Sequence, residues 1–187
     1  MNKKTAKNRT KAPASGRDTR ILAVIAAAVM LAAGIFIGNS ISGYYTYRVE
    51  TDMAGIDSLS TNGFTEVDVA VSPAIIHLTG GCIKISLATT AEQTLSIGMA
   101  LKGMEGPRPL AHDLMSTQME VFGVEVLMAK VHKLENGTYY AKLVLKQNNR
   151  VLTMDARPSD AIALAVRARA LIYVADKLME KEGKAAC

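Results

Sequence analysis

Residues 155–167 read DARPSDAIALAVR, and this stretch organises the reading of the whole chain. Pro158 suits the first turn of a helix, where a backbone N–H has no partner in any case. Ser159 or Asp160 can accept from the free N–H groups at that end, and Asp160 sits at the positive end of the helix dipole. From Ala161 to Val166 the sequence is apolar on nearly every side, which predicts a buried helix. Capping does not require an arginine next to the aspartate, so Arg157 needs a second role.

Outward from this helix, the pattern alternates between hairpins and helices. Val67, Val69 and Val71 alternate with polar or small residues as in a half-buried strand, and Ala74–Leu78 and Cys82–Leu87 flank Thr79-Gly80-Gly81 as a hairpin. Thr89-x-x-Glu92 fits a capping box opening a helix, with Leu95, Met99, Ala91 and Lys102 along one face and Gly103 after it. Pro109 opens a second helix with Leu110, Leu114, Met115, Met119 and Phe122 at helical spacing, stopped by Gly123. Val124–His132 and Thr138–Lys146 flank Glu135-Asn136-Gly137, a strong turn signal. Gln147-Asn148-Asn149 leads into a strand at Val151–Asp155. The helix of the opening stretch, a strand at Leu171–Val174 and a charged helix from Asp176 complete the domain. The fold class is α+β, a mixed sheet of hairpins covered by helices.

The net charge of +5 is unevenly held. Residues 1–20 carry seven Lys/Arg and one acid, whereas residues 48–187 carry 15 basic and 16 acidic residues. The folded part is near neutral and gives no overall sign of a phosphate-binding face. Residues 21–47 hold no charge, and their apolar run Ile21–Ile37 extends to Tyr44, Tyr45 and Tyr47, a belt suited to a membrane interface. The division is therefore a basic tail (1–20), a transmembrane helix (21–47), a linker (48–63) and a domain with a terminal helix (64–187). The positive-inside rule puts the N-terminus in the cytoplasm and the domain outside, single-pass in the lipid bilayer. A signal peptide cleaved near Gly38, Ser40 or Ser42, releasing a secreted domain, is the alternative. Gly34, Gly38 and Ser42 share a face on which two such helices can approach. Cys82 and Cys187 form no metal-type pair. They read as a small core residue and a free terminal thiol, with one disulfide open to them in an oxidising compartment.

Zinc-protease, nucleotide-loop and nucleophile-elbow motifs are absent from the sequence. His77 and His132 fall within strands and read as structural. His112 differs, because Arg108-Pro109 stands before its helix with Asp113 next to it, and Arg157-Pro158 stands before another helix with Asp160. Each place offers an arginine, a helix N-terminus and a carboxylate. Helix starts and arginines bind phosphate, carboxylates can hold a divalent metal, and histidine can move a proton. Facing each other, the two starts would suit phosphodiester hydrolysis. The other reading is a pair of Arg–Asp bridges that lock the helix ends.

RPLAHDLM (108–115), KLENGTYYAKLVL (133–145), DARPSDAIALAVR (155–167) and LIYVADKL (171–178) together resemble the bifunctional nuclease (BFN) domain over residues 65–180. The resemblance implies an oligomeric α+β domain, a dimer or trimer, and a nuclease, a hydrolase of DNA and RNA. The positions it matches are Arg108, His112, Asp113, Asp155, Arg157, Ser159 and Asp160. Their side-chain chemistry makes His112, Asp113 and Asp160 the candidate catalytic residues, Arg108, Arg157 and Ser159 the candidate substrate-binding residues, and Asp155 and Asp160 the candidate ligands of a divalent metal, Mg or Mn. A glutamate usual in the family falls on Gln93, with Glu92 one place off. A non-enzymatic, membrane-anchored oligomeric module that binds an anionic ligand or partner is the second function the sequence allows.

Overall fold

The computed structural model describes residues 21, 24–31, 49–50 and 56–187. The chain divides into two compact units, Met1–Thr46 and Tyr47–Cys187. In the first, the described residues are helical. Among the described residues no helix is long and apolar enough to cross a membrane. Most of the predicted spanning segment, residues 22–23 and 32–47, lies outside them, as does the Gly34–Gly38–Ser42 face.

The second unit holds two sheets. The larger follows the order β1 (Val49–Glu50), β8 (Arg150–Ala156), β7 (Thr138–Gln147), β6 (Val124–Glu135), β9 (Leu171–Ala175), β2 (Phe64–Glu66). Among the described residues its β6–β9 pair is parallel and the other pairs are antiparallel. The smaller sheet is antiparallel, in the order β10 (Lys184–Ala185), β5 (Ile83–Ala88), β4 (Ile75–Gly80), β3 (Asp68–Ser72). The strands thus divide between two sheets, where the sequence predicts one mixed sheet. Gly80 is one place where they meet: a Cβ there would lie 2.6 Å from Thr65 and 2.9 Å from the Glu66 carbonyl.

Local chemistry accounts for the elements. The β6–β7 hairpin turns through Asn136 and Gly137, both at positive φ, as a two-residue primed turn requires. Helix α1 (Ile56–Leu59) is short. Helix α2 (Ala91–Leu101) starts at a capping box between Thr90 and Gln93, one residue beyond the predicted Thr89–Glu92 pair. Helix α3 (Ala111–Val121) follows, then α4 (Pro158–Ala168) and α5 (Asp176–Glu182). Helix α4 begins at Pro158 as predicted and buries Ala161 through Ala165. Its alanines let it lie close to β6, β7, α2 and α3, and its Ile162 and Leu164 join Ala129, Val131, Ala141 and Leu143 in one hydrophobic core.

Two expectations change. Residues 48–63, predicted as a linker, contain β1, which pairs with β8, and α1. The buried Lys130 ammonium donates to the Ser58 carbonyl (2.7 Å) and the Ser60 carbonyl (2.6 Å). Thr153 donates to the Ser58 hydroxyl. Burial, and secondarily Lys142, lowers the Lys130 pKa. Polar composition predicts a linker, but it cannot reveal a lysine on a distant strand that needs carbonyl partners. The cysteines also differ from the favoured reading. Cys82 lies exposed beside the β4–β5 turn and is disulfide-bonded to Cys187, with Cα atoms 5.2 Å apart. The bond staples β10 to the edge of β5 and closes a loop across 105 residues. A loop of that length is worth roughly 4–5 kcal/mol in the chain-entropy account.

Candidate functional site

Three helix starts meet at the N-terminus of α4. His112, in the first turn of α3, sits between α2 and α4. Its Nδ1 lies 3.0 Å from the Ser96 hydroxyl and its Nε2 lies 3.3 Å from Asp160 Oδ1. The Asp160 carboxylate can only accept, so His112 donates its Nε2–H to it, and Nδ1 is left to pair with the Ser96 hydroxyl. That hydroxyl also accepts from Arg167 Nη2 at 3.0 Å. Asp160 also accepts from Arg157 Nε (2.6 Å) and Arg157 Nη2 (3.0 Å). Arg157, 71% exposed, thus fills the role that capping left open: it orders the start of its own helix and presents a cation to solvent.

Asp113 belongs to a different arrangement. One oxygen accepts the Leu110 N–H at 2.7 Å and the other accepts Arg167 Nε at 2.7 Å. Arg167 is 8% exposed, and it further donates to the Ala163 and Ser96 carbonyls. Burial raises the Asp113 pKa, but the Leu110 bond and Arg167 outweigh it and leave the carboxyl below the usual aspartate value. With both oxygens engaged, Asp113 secures the start of α3 and locks it to α4.

The structure therefore brings His112 and Asp160 together, with Arg157 beside them. Arg108 is exposed in the loop before α3 and joins none of these contacts. Asp155 lies on β8 opposite Lys142, on the sheet face turned away from the one Ala141 and Leu143 present to α4. The implied metal pair is thus divided by the sheet. Asp160 is already neutralised by Arg157, and among the described residues no three His, Cys, Asp or Glu side chains form a metal-binding group. Asp155 and Asp160 do not fit a shared divalent ion.

Ser159 and Arg157 line a cavity of about 440 Å³ between the start of α4, the start of α2, the end of β5 and the β6–β7 turn. Gln93 and Tyr139 line it as well, over apolar Ile76 and Leu87. The sequence reading did not single out Ser96, Arg167 or the cavity position of Gln93. One signal was present for Arg167: it follows Asp160 by seven residues, which places both on one face of α4. Ser96 carried none, because a serine inside a helix looks like any solvated position.

Residues 75–186, more than half of the chain, match the bifunctional nuclease domain, and the chain belongs to that family. It is 34% identical over 91 residues to an uncharacterised protein of Mycobacterium tuberculosis, covering 49% of this chain and 54% of that one. It is 26% identical over 87 residues to bifunctional nuclease 1 of Oryza sativa subsp. japonica (45% of this chain, 26% of the relative). It is 26% identical over 121 residues to bifunctional nuclease 1 of Arabidopsis thaliana (62% and 37%). The chain thus spans about half the length of the bacterial relative and less of the plant ones.

Proposed function

We propose that the chain is a phosphodiester hydrolase acting on DNA or RNA. The observation that carries this reading is Arg157, a solvent-facing cation at a buried helix start, lining the cavity and bonded to the Asp160 of the His112–Asp160 pair. A phosphate drawn to Arg157 and to the positive end of α4 would replace Asp160 as the guanidinium's partner. That exchange frees an oxygen of Asp160 to accept a proton from a water attacking the phosphorus, with the His112 Nε2–H holding the carboxylate in place; the P–O bond to the departing nucleotide breaks and its oxygen takes a proton from solvent. Family membership and the plant relatives named as bifunctional nucleases support the same chemistry.

The test is cleavage of single-stranded DNA and RNA by the full chain in detergent, in separate Mg²⁺, Mn²⁺ and chelator arms. Asp160→Asn is expected to lower the rate at least ~10²-fold with an unchanged melting temperature. Equal cleavage by the wild type and the folded variant would remove Asp160 from the mechanism and point to a contaminating enzyme.

The reading includes a single-pass anchor at residues 21–47, with the domain outside. The charge-free segment and its basic preceding tail support it. The Cys82–Cys187 bond adds support, because such bonds persist in oxidising compartments. Protease protection of an N-terminal tag in sealed right-side-out cells tests this orientation, and digestion of the tag would overturn it.

A homo-oligomer is part of the same proposal. Helix α3 buries no residue and leaves Leu114, Met115, Val121 and Phe122 exposed, an apolar face suited to a second copy. The competing reading, a non-enzymatic anchored module, draws on this face and on the mutual neutralisation of Arg167 with Asp113 and Arg157 with Asp160.

A further inference from the structure

The cavity at the start of α4 sets a helix N-terminus beside an arginine. Among the described residues no carboxylate lines it, and Arg157 does. Ser159 is 6% exposed, yet its hydroxyl meets no hydrogen-bond partner among the described residues and opens onto the cavity. That hydroxyl keeps its solvent contact through the cavity, where a ligand oxygen would take the place of water. The Ser159 N–H, in the first turn of an 11-residue helix, has no intrahelical carbonyl to reach.

Gln93 adds a directed donor. Its Oε1 accepts the Thr90 N–H in the capping box and the Thr89 hydroxyl. A backbone N–H can bond only the amide oxygen, so that contact fixes the orientation of the amide and leaves Nε2 as the group facing other partners. Ile76, Leu87 and Tyr139 supply apolar and aromatic surface next to these donors. A cation, a hydroxyl open to the cavity, a helix start and an amide donor beside an aromatic wall match the parts of a nucleotide. The volume lies within the range of sites that enclose a small ligand.

We propose that this cavity is a mononucleotide site, with the phosphate at Ser159 and Arg157 and the nucleoside between Tyr139 and Gln93. It rests on the nuclease reading for the kind of ligand and deepens it, since it would seat one nucleotide of the strand beside Asp160. Gln93 is then a specificity-determining residue: its neutral amide keeps the described lining of the cavity free of negative charge.

The experiment is calorimetric titration of the full chain in detergent with adenosine 5′-monophosphate, with adenosine and inorganic phosphate as separate arms. One nucleotide is expected per chain, with adenosine and phosphate each at least ~10-fold weaker. Ser159→Ala is expected to weaken the nucleotide about tenfold. Gln93→Glu keeps an oxygen for the Thr90 N–H, so α2 stays capped, while its charge weakens the nucleotide at least ~10-fold. No saturation at ~10 mM nucleotide would overturn the proposal. So would affinity unchanged in both variants, or phosphate binding as tightly as the nucleotide. Nucleotide binding lost in the variants, in a chain that cleaves nothing, would sink the nuclease reading and leave the site. Full cleavage by Gln93→Glu would sink the site and leave the nuclease.

Discussion

Helices α3 and α4 begin with the same device, an Arg-Pro pair followed by a carboxylate in the first turn, and the fold uses the two in opposite ways. At α4 the arginine pairs with the carboxylate of its own helix, Asp160, and faces solvent, while the helix behind it is buried. At α3 the arginine, Arg108, stays out of the network. The carboxylate, Asp113, is held instead by the buried Arg167 from the far end of α4, and the helix behind it has no fully buried residue and packs on the core through the half-buried Met119. A motif thus sets local geometry, whereas the neighbours packed on it decide whether its charges lock the fold or remain open to a ligand.

The largest effect expected from this contrast is at Ala163, fully buried in α4. Ala163→Asp places an unpaired charge in the core and should cost more than about 4 kcal/mol, unfolding the domain. A normal thermal melt would show that α4 is not buried in the core. Arg167→Met comes next. It leaves Asp113 without its charge partner and the Ser96 hydroxyl without its donor, at a cost of about 3 kcal/mol by denaturant titration. Arg157→Ala, at an exposed pair, should cost under about 1 kcal/mol. If the two cost the same, the division into lock and open site fails.

Asp113 gives a smaller, pH-dependent effect. Its folded pKa lies below the unfolded value, so its contribution is full above the unfolded pKa of about 4 and is lost as pH falls through the folded pKa. Asp113→Asn should therefore be less stable than wild type by about 1 kcal/mol at pH 6, and the gap should close on acidification. A gap that persists at the acid end would assign the loss to packing. The smallest effect on stability is expected at Leu114, 55% exposed on α3. Leu114→Asp should change stability by less than about 0.5 kcal/mol and dissociate any oligomer built on that face. Light scattering unchanged by the substitution would leave the face without that role.

Much of the fold was legible because its signals are local. Asn136-Gly137 specifies a primed turn through positive φ, and Pro158 with the small apolar run after it specifies a buried helix. The inward faces of the helices were less legible. Leu95 and Met99 mark the apolar side of α2, but the structure buries Thr94, Ser96 and Ile97, and Leu95 is 59% exposed. Thr94 satisfies its hydroxyl on the Ala91 carbonyl and accepts the Ala74 N–H, while Ser96 serves Arg167 and His112. Hydropathy scores such residues as exposed because their partners come from elsewhere in the chain. The same limit hid the disulfide, since cysteines 105 residues apart reveal nothing of β10 returning to the edge of β5.

What the sequence by itself determined is the set of elements and the family: hairpins with their turns, the buried α4, and the motifs that place residues 75–186 in the bifunctional nuclease domain. Only the tertiary structure decided which charges answer which. It put Asp155 behind the sheet, gave Asp113 to Arg167, and left Arg157 and Ser159 on a cavity. The reason is physical. Turns and caps are settled within a few residues by backbone sterics and nearby hydrogen bonds, whereas the partner of a charge depends on which distant side chain packing brings within reach.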